Sequence, residues 1–168
     1  MNIKPAKVTG IIAIVAGILF ILAGGVTWGL ITSNLAAQNI TVSEDADMLA
    51  GNDVNGPFAA FAEAQVIDKH SQAITEGKTY AELGAEVNAA KDAGDTALAE
   101  ELQGKRTTVM NASFLRSSLF TSVIAYGVAA LVMGLGVILA VIGTGLARVA
   151  TAVPATVGAA KAEQLTNA

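Results

Sequence analysis

The sequence predicts an all-α membrane protein, with two transmembrane helices in a hairpin and a small helical extracytoplasmic cap between them. The first observation is composition: of 168 residues, 53% are hydrophobic and only 14% are charged, against about 25% charged in a typical soluble domain. The second is distribution, because no charged residue occurs between Val8 and Ser43 or between Ser117 and Ala147. Two such runs leave no polar shell that could bury them in a soluble fold, so we expect both to lie in a bilayer.

The two apolar runs place the transmembrane helices at residues 8–32 and 120–147. At about 1.5 Å per residue, each is long enough to cross a hydrocarbon core of about 30 Å with some tilt. The first run has a basic start, as a secretory signal does, but it exceeds the usual apolar length of about 7–15 residues. We therefore expect it to be retained as a membrane anchor.

The distribution of charge predicts the orientation in the plasma membrane. Lys4 and Lys7 precede the first span, and no Lys or Arg follows it until Lys69. By the positive-inside rule this places the N-terminus in the cytoplasm. Residues 33–119 carry 13 acids and 6 bases, and we expect this acidic segment outside, with the C-terminus back in the cytoplasm.

Five segments follow from these assignments. They are a cytoplasmic N-terminus at 1–7, transmembrane helix 1 at 8–32, the acidic cap at 33–119, transmembrane helix 2 at 120–147 and a cytoplasmic C-terminal tail at 148–168.

Within the cap, helix signals follow a turn-rich stretch. Pro57 suits a first helical position. Residues 58–74 have helical apolar spacing, and Gly77 is expected to stop this helix. The apolar stripe consists of Phe61, Ala64, Ile67 and Ile74. Thr79 and Glu82 form a capping-box pattern that opens the next helix.

A short third cap helix is expected after these two. Asp95 can cap it, and Gly104 is expected to end it. The last helix would then open at Thr107 or Thr108 and run straight into the second span.

Residues that could carry chemistry are sparse. His70 is the single histidine and cysteine is absent, so a metal site would have to rely on carboxylates that the spacing does not bring together. Glu82 and Glu86 have the spacing of a solvated helix face. We expect no enzyme, no cofactor, no metal, no nucleic-acid partner and no small-molecule substrate.

Small residues inside the spans are the more informative pattern. Pairs four residues apart let helix backbones approach closely in a bilayer, where the hydrophobic effect no longer drives association. We expect helix packing, within the chain or against a partner, at the pairs Ala13 and Gly17, Gly25 and Gly29, and Ala130 and Gly134. Trp28 and Tyr126 lie near the outer ends of the spans, where amphipathic rings anchor helices at the membrane interface.

The chain resembles a family of small two-span actinobacterial membrane proteins. The resemblance lies in the order of a basic start, a Gly-rich span, ITVSEDADMLAG, NGPFAAFA, KTYAEL and VMNASFLRSSLFTSVIAYGVAALVMGLG, and it covers nearly the whole chain. Members are often labelled aromatic-ring-opening dioxygenases. That label implies an iron held by two histidines and a carboxylate, which a chain with one histidine does not provide.

The layout also resembles accessory subunits of actinobacterial respiratory supercomplexes of the cytochrome bcc and aa3 type. This likeness concerns size and architecture only. It favours a non-catalytic subunit whose partners are the lipid bilayer and other membrane-protein subunits.

Two alternatives stay open. The cap could be an extracytoplasmic sensor or ligand-binding module, which would require a pocket in it. A remote alternative is the iron dioxygenase that the family label implies.

Overall fold

Four α-helices account for most of the chain in a computed structural model, which describes the backbone of residues 4–166 and the side chains of residues 5–150. They are α1 (Lys4–Ala36), α2 (Pro57–Thr75), α3 (Tyr80–Asp92) and α4 (Thr96–Thr166). No strand occurs in the described residues beyond one isolated antiparallel bridge, between Thr41 and Asp53. The predicted all-α class is confirmed.

Two helices are long and apolar enough to cross a membrane, over Pro5–Ala36 and Thr96–Ala150. In the most apolar part of each, only 17% of the residues are buried within the chain. The core helix of a soluble protein would be mostly buried instead. The predicted spans at 8–32 and 120–147 fall inside these two helices.

The chain divides into two compact units. The first, called the helix-pair unit, consists of the residues up to Gly29 together with those from Gly127 onward. The second, called the central unit, is Leu30–Tyr126. α1 and α4 each contribute residues to both units, so the chain passes from one unit to the other within a helix.

In the helix-pair unit, α1 and α4 pack antiparallel. Gly10 near the start of α1 lies beside Gly143, whereas Gly24 further along α1 lies beside Ala129. The large aliphatic side chains, such as Ile12 and Val141, are mostly exposed. The pair is therefore held by its small residues, and its apolar surface points outward.

In the central unit, α2 and α3 begin and end largely where the sequence indicates. α2 starts at Pro57 after an extended Gly56 and ends at Glu76 and Gly77, both with positive φ. α3 opens with the predicted capping box, in which the Thr79 side chain accepts from the Glu82 backbone N–H and the Glu82 carboxylate accepts from the Thr79 backbone N–H. These predictions are confirmed.

The predicted break at Gly104 is wrong. One uninterrupted helix, α4, runs from Thr96 through this position into the second apolar run. Glycine costs a helix about 1 kcal/mol relative to alanine but does not break it. Here Leu102 on one side packs in the core formed with α3, and Val109 on the other side contacts the same core, so tertiary packing holds both sides in one helix.

The buried face of α2 matches the predicted stripe in part, because Ala64 is buried as expected and Ile67 is half-buried. Phe61 and Ile74 of that stripe are exposed instead, and Ala60 and Val66, which were not predicted, are buried. Small side chains thus form the contact face, and they let α2 approach its neighbours closely.

Candidate functional site

The contact between α1 and α4 in the helix-pair unit is built on glycines seven residues apart. We name it the glycine ladder, and it comprises Gly10, Gly17 and Gly24 on α1 with Ala129, Gly136 and Gly143 on α4. A seven-residue spacing keeps residues on one face of a packed helix pair. A Cβ added to Gly10 would lie 2.7 Å from the Gly143 carbonyl oxygen, so the two backbones touch.

The predicted packing residues divide into two groups. Gly17 belongs to the glycine ladder, and Ala13 beside it is partly buried. Gly25, Gly29 and Gly134 have open space where a Cβ would be, and Ala130 is exposed. Packing at the Gly25–Gly29 and Ala130–Gly134 faces therefore has no partner within the described chain, and contact with another subunit stays a prediction.

Sequence reasoning missed most of the glycine ladder, although a signal for it exists. Gly10, Gly17 and Gly24 repeat every seven residues, as do Gly136 and Gly143. Searching for pairs four residues apart finds right-handed crossings. A seven-residue repeat is instead typical of the left-handed packing found in coiled coils.

Tyr126, a predicted interface anchor, is bonded within the chain, and its position at a membrane interface stays a prediction. The residue is only 1% exposed. Its hydroxyl donates to the Asn55 carbonyl oxygen at 3.3 Å and pairs with the Thr32 hydroxyl at 2.8 Å. Because the Tyr126 hydroxyl donates its one proton to Asn55, the Thr32 hydroxyl is the donor of the second bond. Tyr126 thereby ties α1, α4 and the loop before α2 within the central unit. Trp28 is partly exposed.

His70 contacts one carboxylate rather than a metal-binding cluster. Its Nε2 lies 2.8 Å from Asp45 Oδ2, which also pairs with Lys69 Nζ at 3.3 Å. The hydrogen bond from His70, with that from Lys69, lowers the pKa of the Asp45 carboxyl below its ordinary 3.8, against a smaller opposing effect of desolvation. Among the residues that the structure describes, no group of three or more His, Asp or Glu side chains could hold a metal ion.

The exposed carboxylates of α3 act locally. The Thr79 backbone N–H and hydroxyl donate to Glu82 at 2.8 and 2.7 Å and lower the pKa of Glu82 below 4.5. Glu86 binds Lys78 at 2.8 Å, and its hydrogen bond raises the pKa of that lysine above 10.5. Both contacts fix the start of α3 rather than form a catalytic pair.

A groove of about 620 Å³ lies in the central unit between the end of α1, α2 and α4. Aliphatic side chains, including Ile31, Ile67 and Leu115, form much of its wall. Its polar residues are Asn34, Gln38, Glu63, Ser118, Thr121 and Ser122. Sequence reasoning did not identify this groove, because residues from three separate segments build it.

Glu63 is the buried charged residue of the groove. It is 8% exposed, and its Oε2 accepts from the Ser43 backbone N–H at 2.9 Å and from the Ser43 hydroxyl at 3.3 Å. The extended loop positions Ser43, because Val42 next to it is buried and pairs with Asn52 through its backbone N–H at 2.8 Å.

Comparison with known proteins gives no match: no family model fits the chain, and no curated protein or solved structure is similar to it.

Proposed function

We propose that this chain is a non-catalytic integral membrane protein that acts as an accessory or scaffolding subunit of a larger membrane complex. In this proposal α1 and α4 cross the plasma membrane as a hairpin, both termini are cytoplasmic, and residues 33–119 form an extracytoplasmic cap. The observation that carries it is that some small residues of α1 and α4 contact the facing helix, whereas others have open space beside them.

The glycine ladder occupies one face of each apolar helix. Gly25 and Gly29 lie on another face of α1, and Ala130 and Gly134 lie on another face of α4, with open space beside the glycines. In a bilayer, faces of this kind favour close packing with a further helix. Two open faces on two spans suit a subunit that docks between other membrane helices.

The named complex we favour is a respiratory supercomplex of the cytochrome bcc–aa3 type. Its support is the layout alone, namely two spans, an acidic helical segment between them and no redox ligands in the sequence pattern. The resemblance to two-span actinobacterial proteins points in the same direction.

Affinity purification through a tag on this chain, in a mild detergent, tests the subunit role. We expect stoichiometric membrane-protein partners with the native chain and their loss with the double variant Gly25→Leu/Gly29→Leu. Ala23→Leu is the matched control, because Ala23 is exposed and lies on the opposite side of α1 from Gly25. A chain that elutes alone, or a double variant that keeps every partner, would overturn the proposal.

The topology has a separate test, since the native chain contains no cysteine. A single cysteine at Asp92, which is exposed at the end of α3, should react with a membrane-impermeant maleimide on intact cells. A cysteine at Lys161 should react only after permeabilisation. The reverse pattern would place the cap inside.

A second candidate function is an extracytoplasmic ligand-binding module. The groove beside Glu63 supports it, because its volume of about 620 Å³ falls in the range of about 300–1,000 Å³ that small-molecule sites occupy. If a bound ligand changed which membrane proteins co-purify with the chain, this function would be favoured over a purely structural one.

A further inference from the structure

Glu63 presents half of a carboxylate that the protein leaves without a hydrogen bond. Both bonds from Ser43 go to Oε2, and among the described residues no donor reaches Oε1. The side chain nevertheless lines the groove while being 8% exposed. Oε1 is therefore an anionic acceptor that is open to the groove, and a positively charged hydrogen-bond donor in the groove would pair with it.

No protein cation competes for this position in the described part of the chain. The groove is lined by no Lys, Arg or His, and Glu63 is its single ionisable residue there. Charge complementarity therefore points to an ammonium group. A primary ammonium fits better than a quaternary one, because only the former has N–H groups to donate.

The rest of the polar lining fits an acceptor group beside that ammonium. Gln38 and Ser118 line the groove, and neither side chain makes a hydrogen bond to another described residue. Their amide and hydroxyl are thus free to donate. Thr121, in contrast, already donates to the Ser117 carbonyl oxygen at 2.8 Å.

The apolar wall selects a lipid rather than a soluble amine. Ile31 and Leu35 line the groove and belong to the helix that is long and apolar enough to cross a membrane. On α4, Leu119 and Ala125 line the groove within the second such helix. An occupant with a charged head and an apolar chain satisfies both parts of the lining.

We propose that this groove binds a zwitterionic phospholipid with a primary ammonium, of the phosphatidylethanolamine type. Its ammonium donates to Oε1 of Glu63, its phosphate accepts from Gln38 and Ser118, and its upper acyl chains lie against the aliphatic wall. The proposal deepens the ligand-binding function and rests on membrane insertion, but it does not depend on any protein partner.

Native mass spectrometry of the full chain, released from nanodiscs, tests this site. The nanodiscs contain equal parts of phosphatidylethanolamine, phosphatidylcholine and phosphatidylglycerol with identical acyl chains. We expect one retained phosphatidylethanolamine per chain and about a ten-fold loss of retention in Glu63→Gln, because a charge-assisted hydrogen bond is replaced by a neutral one. Glu100→Gln, at an exposed position on α4, should retain the lipid like the native chain.

A second variant keeps Glu63 and fills the groove instead. Ser122→Phe should remove every retained lipid, whereas Asn111→Phe, at an exposed position on the same helix outside the groove, should not. This pair keeps the proposal falsifiable if Glu63→Gln does not fold.

Several outcomes would overturn the site. They are equal retention of the three lipids, preference for phosphatidylglycerol, or retention that is unchanged in both Glu63→Gln and Ser122→Phe. Soluble glycerophosphoethanolamine should not displace the lipid, and displacement would show that the head group alone is the ligand. If the native chain captures its partners but retains no phosphatidylethanolamine, this site alone is overturned. If the native chain retains the lipid but captures no partner, only the subunit role is overturned.

Discussion

A Cβ atom on Gly136 would lie 2.6 Å from the carbonyl oxygen of Gly17, so the backbones of α1 and α4 are in direct contact at this point. The same holds one ladder step away, where a Cβ on Gly143 would lie 2.5 Å from the Gly10 carbonyl oxygen. Backbones this close can form Cα–H···O contacts, which recur at helix–helix interfaces. The helix pair therefore depends on the absence of side chains.

Gly136→Ala should destabilise the helix pair. The new methyl group meets backbone, which cannot move aside as a side chain can, and overpacking of this kind costs about 1–3 kcal/mol. Gly134→Ala is the matched control on the same helix, because a Cβ there meets nothing within 4 Å. Unfolding of the full chain in detergent measures the difference, and equal stability of the two variants would contradict direct backbone contact.

Tyr126→Phe should destabilise the central unit by about 1–3 kcal/mol. The change removes two part-buried hydrogen bonds, to the Asn55 carbonyl and to the Thr32 hydroxyl, and each such bond contributes about 0.5–1.5 kcal/mol. Tyr80→Phe serves as the control, since that ring is 42% exposed and phenylalanine can still stack under Arg106. Denaturant unfolding compares them, and equal effects would show that the Tyr126 hydroxyl is dispensable.

Replacing two glycines by alanine should have opposite effects. Gly104→Ala should stabilise the chain by up to about 1 kcal/mol, because Gly104 is inside α4 with open space around it. Gly94→Ala should destabilise it by about 1–2 kcal/mol, because its φ of 78° disfavours any residue with a Cβ. Thermal unfolding gives the sign of each change. Destabilisation by Gly104→Ala would mean that α4 is interrupted there.

The contact of Asp45 with His70 and Lys69 should weaken in acid. The pKa of Asp45 is lowered in the folded protein, so its stabilising contribution is complete above the ordinary value of 3.8 and is lost as the pH falls through the lower folded value. Carbon NMR of the Asp45 carboxyl should show a midpoint below 3.8 that rises in His70→Leu. A midpoint that does not respond to this substitution would contradict the hydrogen bond.

Local signals along the chain are enough for the helices but not for every boundary between them. Pro57, Gly77 and the Thr79–Glu82 box set the ends of α2 and α3, because each acts through its own neighbouring backbone groups. Gly104 is the exception. Its local preference for a helix end is about 1 kcal/mol, which packing of Leu102 and Val109 against the α3 core outweighs.

The candidate sites were less accessible to sequence reasoning. Gly17 was expected to pack, but its partners depend on the register between two helices that are over 100 positions apart in the sequence. In the sequence Glu63 does not differ from the other acidic residues of residues 33–119. It is distinguished only by its contact with Ser43, which lies 20 positions earlier in a loop. Tyr126, expected at a lipid interface, is buried, and its hydroxyl bonds to Thr32 and Asn55 from two other segments.

The sequence by itself determined the helical class, the two long apolar helices and the acidic character of the segment between them. These follow from composition and periodicity, which act over a few turns of helix. Only the tertiary structure decided which small residues carry the helix contact, which are left open, and where a carboxylate lines a groove. Those outcomes depend on how closely segments that are distant in the sequence approach each other, and no local pattern in the chain encodes this.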